Sequence, residues 1–476
     1  MGFTNTSPDF GEPDTTYILV TGTNSGIGFS ICCRTIDEFL STHPPSQSLN
    51  LLFTTRSAKK SAQTLSRLQS HLTTSAAKHH TTRARVTLTP EHVDLSNLLS
   101  VRALSRRLLT TLPKLDAIIL NAGIAGFTGL NYPKAIYLFC TELVNAITWT
   151  ARYTRSDTGV LAKKQTTQPD EPALGHIFLA NVFGHYMLAH ALMPVLSACG
   201  PQRPGRVVWT SSVEATPGVF DVGDVQTVRS RHAYEASKYL ADALALTADL
   251  PGSKKWVDGF LDPSPSPSSS SLSSSSEVEE EEEEGAQPPT TPKKYTRPNI
   301  YLSHPGVCAT SIVPLIFPLP YLMIAAFYIA RLLGSPWHVV SSYKGACSAV
   351  FLALAPQPVI DEAEGAYARH GGGKVKWGSA CDVWGRESAV CTEVQGWGFG
   401  GVVGGAVFEG DKRRRRKEGA TDLTVEERKG FEEVGWRCWR EMEGLRRVWE
   451  GVLHREEAAS GVEGGKGMNG NGRGAA

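Results

Sequence analysis

Along the first half of the chain, short apolar runs alternate with segments whose apolar residues recur every three to four positions. The runs at 17–21, 51–55, 86–93, 117–121, 206–211 and 299–303 predict six strands. Between them, the spacing over 27–40, 97–111, 175–197 and 234–250 predicts helices. Strands alternating with helices point to parallel pairing through crossovers, hence an α/β fold with a doubly wound parallel sheet.

Two stretches interrupt this plan. Residues 130–172 bridge a strand and a helix, with helical apolar spacing over 135–149 and then a polar loop. Residues 252–297 are a Pro/Ser tract, a nearly unbroken glutamate run at 277–284, and a Pro/Lys segment. Such a composition cannot bury enough apolar surface to offset ordering entropy, so this insert is expected to be disordered.

Near the C-terminus, Phe431, Val434, Cys438, Met442, Leu445, Trp449 and Val452 fall on one face of a helix over 424–452. That helix should pack on the body. The basic run 412–417 before it reads as a solvated loop, with anionic lipid contact as a second reading. The chain thus divides into a flexible start (1–14), an α/β domain (15–410), a basic loop with an amphipathic helix (411–455) and a disordered Gly-rich tail (456–476).

Composition narrows the class. Hydrophobic residues make up 41% and charged residues 20%, as in ordinary globular proteins. A formal net charge of +1 supplies no global field for nucleic acid, and no nucleic-acid role is expected. The nine cysteines form no Cys-x-x-Cys pair, and a reducing compartment is the expected home. The first 17 residues lack the basic-then-apolar pattern of a secretory signal.

Candidate chemistry begins directly after the first strand, where Thr21-Gly22-Thr23-Asn24-Ser25-Gly26-Ile27-Gly28 opens a helix. Glycines there allow a tight turn and close backbone approach to a pyrophosphate at the helix N-terminus. Residues Gly22, Asn24, Ser25, Gly26, Ile27 and Gly28 are therefore expected to line a dinucleotide site. The second strand ends in Thr54-Thr55-Arg56-Ser57 without a carboxylate for a ribose hydroxyl, and Arg56 suits a 2′-phosphate. The expected cofactor is NADP(H).

With Asp94 after the third strand and Asn121-Ala122-Gly123 after the fourth, the pattern resembles the short-chain dehydrogenase/reductase superfamily. The resemblance implies a Rossmann-type fold, an adenine contact for Asp94 and a cofactor-supporting role for Asn121.

Reduction of a ketone leaves an alkoxide that needs a proton donor. Tyr234 and Lys238, four residues apart on one helix face, supply a phenol and an ammonium expected to lower its pKa. The resemblance makes Tyr234 the acid, with Lys238 on the ribose, and assigns Asn181 to a proton relay. It also gives a serine of Thr210-Ser211-Ser212 to the substrate carbonyl. Ser212 is the better match and Ser211 the alternative, because the loop before Tyr234 is longer than usual. Pro305-Gly306-Val307 resembles the superfamily's turn at the nicotinamide, which implies contacts from the Val307 backbone and the Thr310 hydroxyl. His304 beside it reads as a satisfied loop histidine.

The insertion at 130–172, the apolar region after Thr310 and the extension carrying Trp377-Gly378-Ser379-Ala380 further resemble the fungal 3-keto-steroid reductases of sterol C-4 demethylation. So do Ser30-Ile31-Cys32-Cys33-Arg34 and Ser237-Lys238-Tyr239-Leu240. The resemblance implies NADPH-dependent reduction of a 3-ketosterol in ergosterol biosynthesis. The alternatives are another lipophilic carbonyl, such as a retinoid or polyketide, and a silent scaffold for membrane-bound sterol enzymes. No residue from Ile312 to Ala330 is charged, but Pro314, Pro318 and Pro320 leave too few residues for one spanning helix. Residues 312–333 therefore read as a lid over the pocket, a dip into one leaflet, or both. The expected location is the cytoplasmic face of the endoplasmic reticulum or a lipid-droplet surface, beside other sterol C-4 demethylation enzymes.

Overall fold

The computed structural model describes residues 15–262, 295–309, 319–417 and 419–466. The readings placed on 1–14, on the Ser/Glu tract, on Thr310, Pro314 and Pro318, and on the last ten residues lie outside these.

The apolar runs inside the sheet become strands because their residues are buried on both sheet faces, whereas the run at 86–92 forms an edge strand that leaves Thr87, Pro90 and His92 exposed. The strands are β1 (Thr15–Val20), β2 (Ser48–Thr55), β3 (Val86–His92), β4 (Ala117–Leu120), β5 (Arg206–Thr210) and β6 (Asn299–His304). Two more join them, β7 (Lys376–Cys381) and β8 (Glu387–Cys391). The sheet order is β8-β7-β6-β5-β4-β1-β2-β3, parallel except for β8. Order reverses between β1 and β4, which opens a crevice beyond the carboxyl ends of these strands. β7 and β8 escape the sequence pattern because Lys376, Gly378 and Ser379 break the apolar run, although all of β7 is buried.

The helices that position the site are α1 (Gly26–Thr42), α2 (Ala58–Lys78), α3 (Leu98–Thr111), α4 (Tyr132–Thr141) and α5 (Leu143–Thr148). They are followed by α6 (Gly184–Ala191), α7 (Ala233–Thr247), α8 (Leu319–Leu332), α9 (Cys347–Leu354) and α10 (Val425–Lys466). On one face of the sheet, Leu104, Phe183, Tyr186, Leu244 and Trp439 share a core that joins α3, α6, α7 and α10. On the other, Ile31, Phe39, Leu68 and Val350 join α1, α2 and α9.

The insertion at 130–172 folds as α4, α5 and a small antiparallel ladder of Gly129–Leu130 with Thr154–Arg155. It packs through Val144 and Ile147 against Phe327 and Ala330 of α8.

Two expectations are corrected. Helix α10 continues through Lys466, so the disordered tail does not begin at 456. Glu456 and Glu457 hold that stretch, Glu456 by accepting from Thr167 Oγ1 at 2.8 Å and Glu457 by pairing with Arg102 and Arg106. The basic run is solvated only in part: Lys412, Arg413 and Arg415 are exposed, whereas Arg414 pairs with Asp411, Arg416 with Glu393 and Asp422, and Lys417 Nζ donates to Thr216. Among the described residues, no helix is long and apolar enough to cross a membrane.

Candidate active site

A cavity of about 1050 Å³ opens at the carboxyl ends of the strands and takes in most of the residues singled out above. Its floor is the glycine turn. Gly22 and Gly26 have φ of +70° and +57°, a region side chains disfavour. A Cβ on Gly28 would lie 2.1 Å from the Gly22 carbonyl oxygen, so α1 can start this close to β1 only with glycine there. Asn121 fixes the turn from β4, donating from Nδ2 to the Thr21 carbonyl at 3.0 Å, while its own N–H donates to Thr21 Oγ1 at 2.9 Å.

Helix α1 begins at Ser25 without a side-chain cap and without an acid in its first turn. Unpaired N–H groups therefore face the cavity, which favours an anion. Arg56 stands exposed at the end of β2 on the cavity rim, with no hydrogen-bond or ion-pair partner among the described residues. Asp94 follows the neighbouring strand β3, whose His92 is in register with Thr55, and its Oδ1 accepts from Ser96 N and Oγ. A floor of glycines, an uncapped helix and a rim arginine together fit a phosphorylated dinucleotide.

The chemical groups converge on the β5 end. Ser212, Tyr234 and Lys238 line the same wall, and the Ser212 hydroxyl acts on the Tyr234 phenol in favour of its ionised form. Ser211 points the other way. It is buried and donates to Asp242 Oδ1, so of the two serines only Ser212 presents its hydroxyl to Tyr234. The intervening loop forms two short turns, Pro217–Val219 and Val222–Asp224, and leaves this register intact.

Asn181 sits in a π-turn, Leu179–Phe183, just before α6. Such turns widen a helix locally and recur at functional sites. The Asn181 side chain is fully engaged, accepting from Ile124 N at 2.7 Å and donating to the Ile124 carbonyl at 2.9 Å and to Ser237 Oγ at 3.1 Å. Its carbonyl lies 3.1 Å from His185 Nδ1, and His185 Nε2 lies 2.9 Å from Thr21 Oγ1. Burial holds this imidazole neutral, at about 3, the Asn181 carbonyl opposing and Lys238 adding to the effect.

The electrostatics depart from one expectation. Burial pushes the Tyr234 phenol up rather than down; the Ser212 hydroxyl opposes this, and Glu214 and Glu235 add to it. Lys238 Nζ donates to the Thr210 carbonyl at 2.8 Å and stands 5.7 Å from the centre of the Tyr234 ring. Lys238 itself is lowered to about 8, first by burial and further by Lys376, with Asp242 opposing.

Val307 also differs. Its N–H donates to the Trp337 carbonyl at 2.7 Å and its carbonyl accepts from Val340 N at 3.1 Å, because 307–309 lies alongside the segment leading into Val340. Its N–H is thus spent internally, and it meets the cavity chiefly as an apolar surface. His304 is fully buried between Thr392 Oγ1 and the Gly306 N–H, as a satisfied histidine.

Three charged residues near the site have no counterpart among the sequence candidates. Glu214 lines the cavity and accepts from Thr150 N at 2.5 Å and Ala151 N at 3.2 Å, tying the insertion to the Ser212 loop. Asp242 and Lys376 pair at 2.6 Å beneath that loop. Asp242 falls one turn after Lys238, and Lys376 interrupts an apolar run, the only signals the sequence offers. Beyond Tyr234 the cavity is apolar, walled by Phe127, Leu130, Ile136, Phe139, Ile147, Met323 and Phe327. Among the described residues, no cluster of His, Cys, Asp and Glu could hold a metal.

No family model matches the chain. A 3-keto-steroid reductase of Aspergillus fumigatus is 51% identical over 93% of this chain and 96% of its own length. One from Gibberella zeae is 35% identical over the same shares. The human 3-keto-steroid reductase/17-beta-hydroxysteroid dehydrogenase 7 is 33% identical over 48% of this chain and 59% of its own. A solved short-chain dehydrogenase from Shigella flexneri aligns with 72% of this chain and 86% of its own at 16% identity and a TM-score of 0.35. At 51% and 35% identity across nearly the whole of two 3-keto-steroid reductases, this chain belongs to the 3-keto-steroid reductase family.

Proposed function

We propose that this protein reduces the 3-keto group of a sterol intermediate to the 3β-hydroxysterol with NADPH, as a step of ergosterol biosynthesis. The observation that carries this reading is that Ser212, Tyr234 and Lys238 stand where the glycine-floored half of one cavity meets its apolar half.

In this reading, Ser212 Oγ donates to the substrate carbonyl and holds it beside the Tyr234 hydroxyl. A bound nicotinamide supplies hydride to the carbonyl carbon. The Tyr234 hydroxyl gives its proton to the forming alkoxide, and a phenol held high by burial is a competent acid toward a stronger base. Lys238 and Asn181 hold that wall, Lys238 through the Thr210 carbonyl and Asn181 through Ile124. The Lys238 ammonium remains available to a ribose hydroxyl, and Arg56 to a 2′-phosphate, which favours NADPH over NADH.

The apolar half suits a rigid lipophilic body. Helix α8 presents Tyr321, Tyr328, Ile329 and Leu332 to the outside and α4 presents Tyr137, while Leu322, Tyr132 and Ile136 are exposed at the cavity itself. Both helices also line the cavity. An outward apolar face this large favours a lipid surface, so the protein is placed on the cytoplasmic face of the endoplasmic reticulum or a lipid droplet, within reach of other sterol C-4 demethylation enzymes. The sterol then enters between α4 and α8 without crossing water.

Consumption of NADPH with a 3-ketosterol, but not with retinal, tests the reading. The reverse preference moves the substrate to another lipophilic carbonyl, and no turnover of either favours a scaffold.

A further inference from the structure

The turn after β5 is held at three consecutive residues by three buried charged side chains. Lys238 Nζ donates to the Thr210 carbonyl at 2.8 Å. Asp242 Oδ1 accepts from Ser211 Oγ. Lys376 Nζ donates to the Ser212 carbonyl at 2.7 Å and to Asp242 Oδ2 at 2.6 Å. The first two come from α7, the helix of Tyr234; the third comes from β7, more than a hundred residues later in the chain.

A buried ion pair is costly to assemble and is often no more stable than an apolar replacement, so stability alone is a weak account of it. Asp242 and Lys376 are almost wholly removed from solvent, at 1% and 4% side-chain exposure. Their remaining hydrogen-bonding capacity goes to the serine turn. The carbonyl of Ser212 and the hydroxyl of Ser211 are thereby fixed relative to α7, and the Ser212 hydroxyl follows. A hydroxyl displaced by a fraction of an ångström loses alignment with the substrate carbonyl, which affects the chemical step more than ground-state binding.

We propose that Lys376 and Asp242 are positioning residues that set the Ser212 hydroxyl against Tyr234, so that the extension carrying β7 completes the active site. The proposal rests on the ketoreductase reading above. In it, β7 supplies a point charge that meets α7 at Asp242 and holds the catalytic turn from a second element.

The test uses the full chain with NADPH and a 3-ketosterol. Removing both charges together, in Asp242→Asn/Lys376→Met, avoids a lone buried charge. The expected result is a cooperative thermal unfolding transition, a KM for both substrates within about threefold of the parent and a kcat at least about tenfold lower. Lys376→Arg, which keeps the charge and the pair, should recover part of that loss. A double variant that folds and turns over like the parent overturns the proposal, as does one in which KM rises and kcat does not fall. Should the double variant not fold, Ser211→Ala carries the test, because it removes one hydroxyl and leaves the ion pair. A kcat reduced severalfold at constant KM supports the proposal, and an unchanged kcat overturns it. A parent protein that does not reduce 3-ketosterols defeats the ketoreductase reading instead, and is recognised before any variant is made.

Discussion

The indole nitrogen of Trp439 donates to the main-chain carbonyl of Leu244 at 3.0 Å, joining the C-terminal helix α10 to the back of the catalytic helix α7. The same ring lies 5.9 Å from Tyr186 and 5.4 Å from Phe260, and the Tyr186 hydroxyl donates to Glu443 at 2.7 Å. Helix α10 therefore clamps both helices that bear site residues, α7 directly and the Asn181 helix through Tyr186. Gly435 permits the approach, since a Cβ there would lie 2.3 Å from the Thr247 side chain.

Trp439→Ala should cost about 3–5 kcal/mol of stability, the range for removing a fully buried aromatic ring. Denaturant unfolding of the full chain measures it. A loss below about 1 kcal/mol would mean that α10 is an accessory rather than part of the core.

Tyr234→Phe should abolish turnover while leaving NADPH affinity within about tenfold, because it deletes the proton donor and none of the glycine-turn contacts. Steady-state kinetics with a fluorescence titration of NADPH separates the two effects.

Arg56→Asp should lower kcat/KM for NADPH by about tenfold or more and leave that for NADH nearly unchanged or raised. The rim guanidinium has no internal partner to lose, so the effect should be confined to the cofactor. Equal losses with both cofactors would contradict the 2′-phosphate assignment.

Stability should carry a pH signature from His71 and Asp37, which join α1 and α2 at 3.0 Å. The Asp37 hydrogen bond, with that of the Cys33 side chain, raises His71 to about 10 against the opposing effect of burial. Burial of Asp37 disfavours its charge, yet hydrogen bonds from His71, Ser75 and Tyr343 hold it at about 2. A raised histidine stabilises fully below its unfolded value of 6.5 and loses that contribution as pH climbs to about 10. A lowered aspartate stabilises fully above 3.8 and loses it as pH falls to about 2. The stability difference between parent and His71→Gln should thus be greatest from about pH 4 to 6.5 and shrink toward pH 10. A difference constant across pH 6–10 would exclude a protonated His71.

Ile329→Asp/Leu332→Asp places two charges on the outward face of α8, where both side chains are exposed. Recovery on phosphatidylcholine vesicles should fall severalfold without loss of the folded state, since neither residue is in the core. High salt should not release the parent, because apolar insertion carries the attachment. Equal recovery of parent and variant would refute the lipid-facing role.

Much of the scaffold was legible from local pattern. Apart from the edge strand β3, the runs that became β1 to β6 are largely apolar segments, as strands covered on both faces must be, and the helical spacing of α1, α3, α7 and α10 follows the faces they bury. The glycine turn was legible for a steric reason, since only glycine fits at Gly28 and adopts the φ of Gly22. Tyr234 and Lys238 could be paired because helix geometry puts residues four apart on one face.

What the sequence left open depends on partners remote along the chain. Ser211 and Ser212 are neighbours of one type, and only the approach of Asp242 turns one inward and leaves the other to Tyr234. Lys376 reads as a break in an apolar run until β7 pairs with β6 and brings it beneath that same turn. Burial opposes the lowering expected at Tyr234, because spacing gives proximity and says nothing of desolvation. Val307 lost its expected free N–H because residues 337–340 fold back along it. Period and local sterics thus determine elements and turns, while hydrogen-bond partners and desolvation, which set the chemistry of the site, are decided by contacts that exist only in the folded chain.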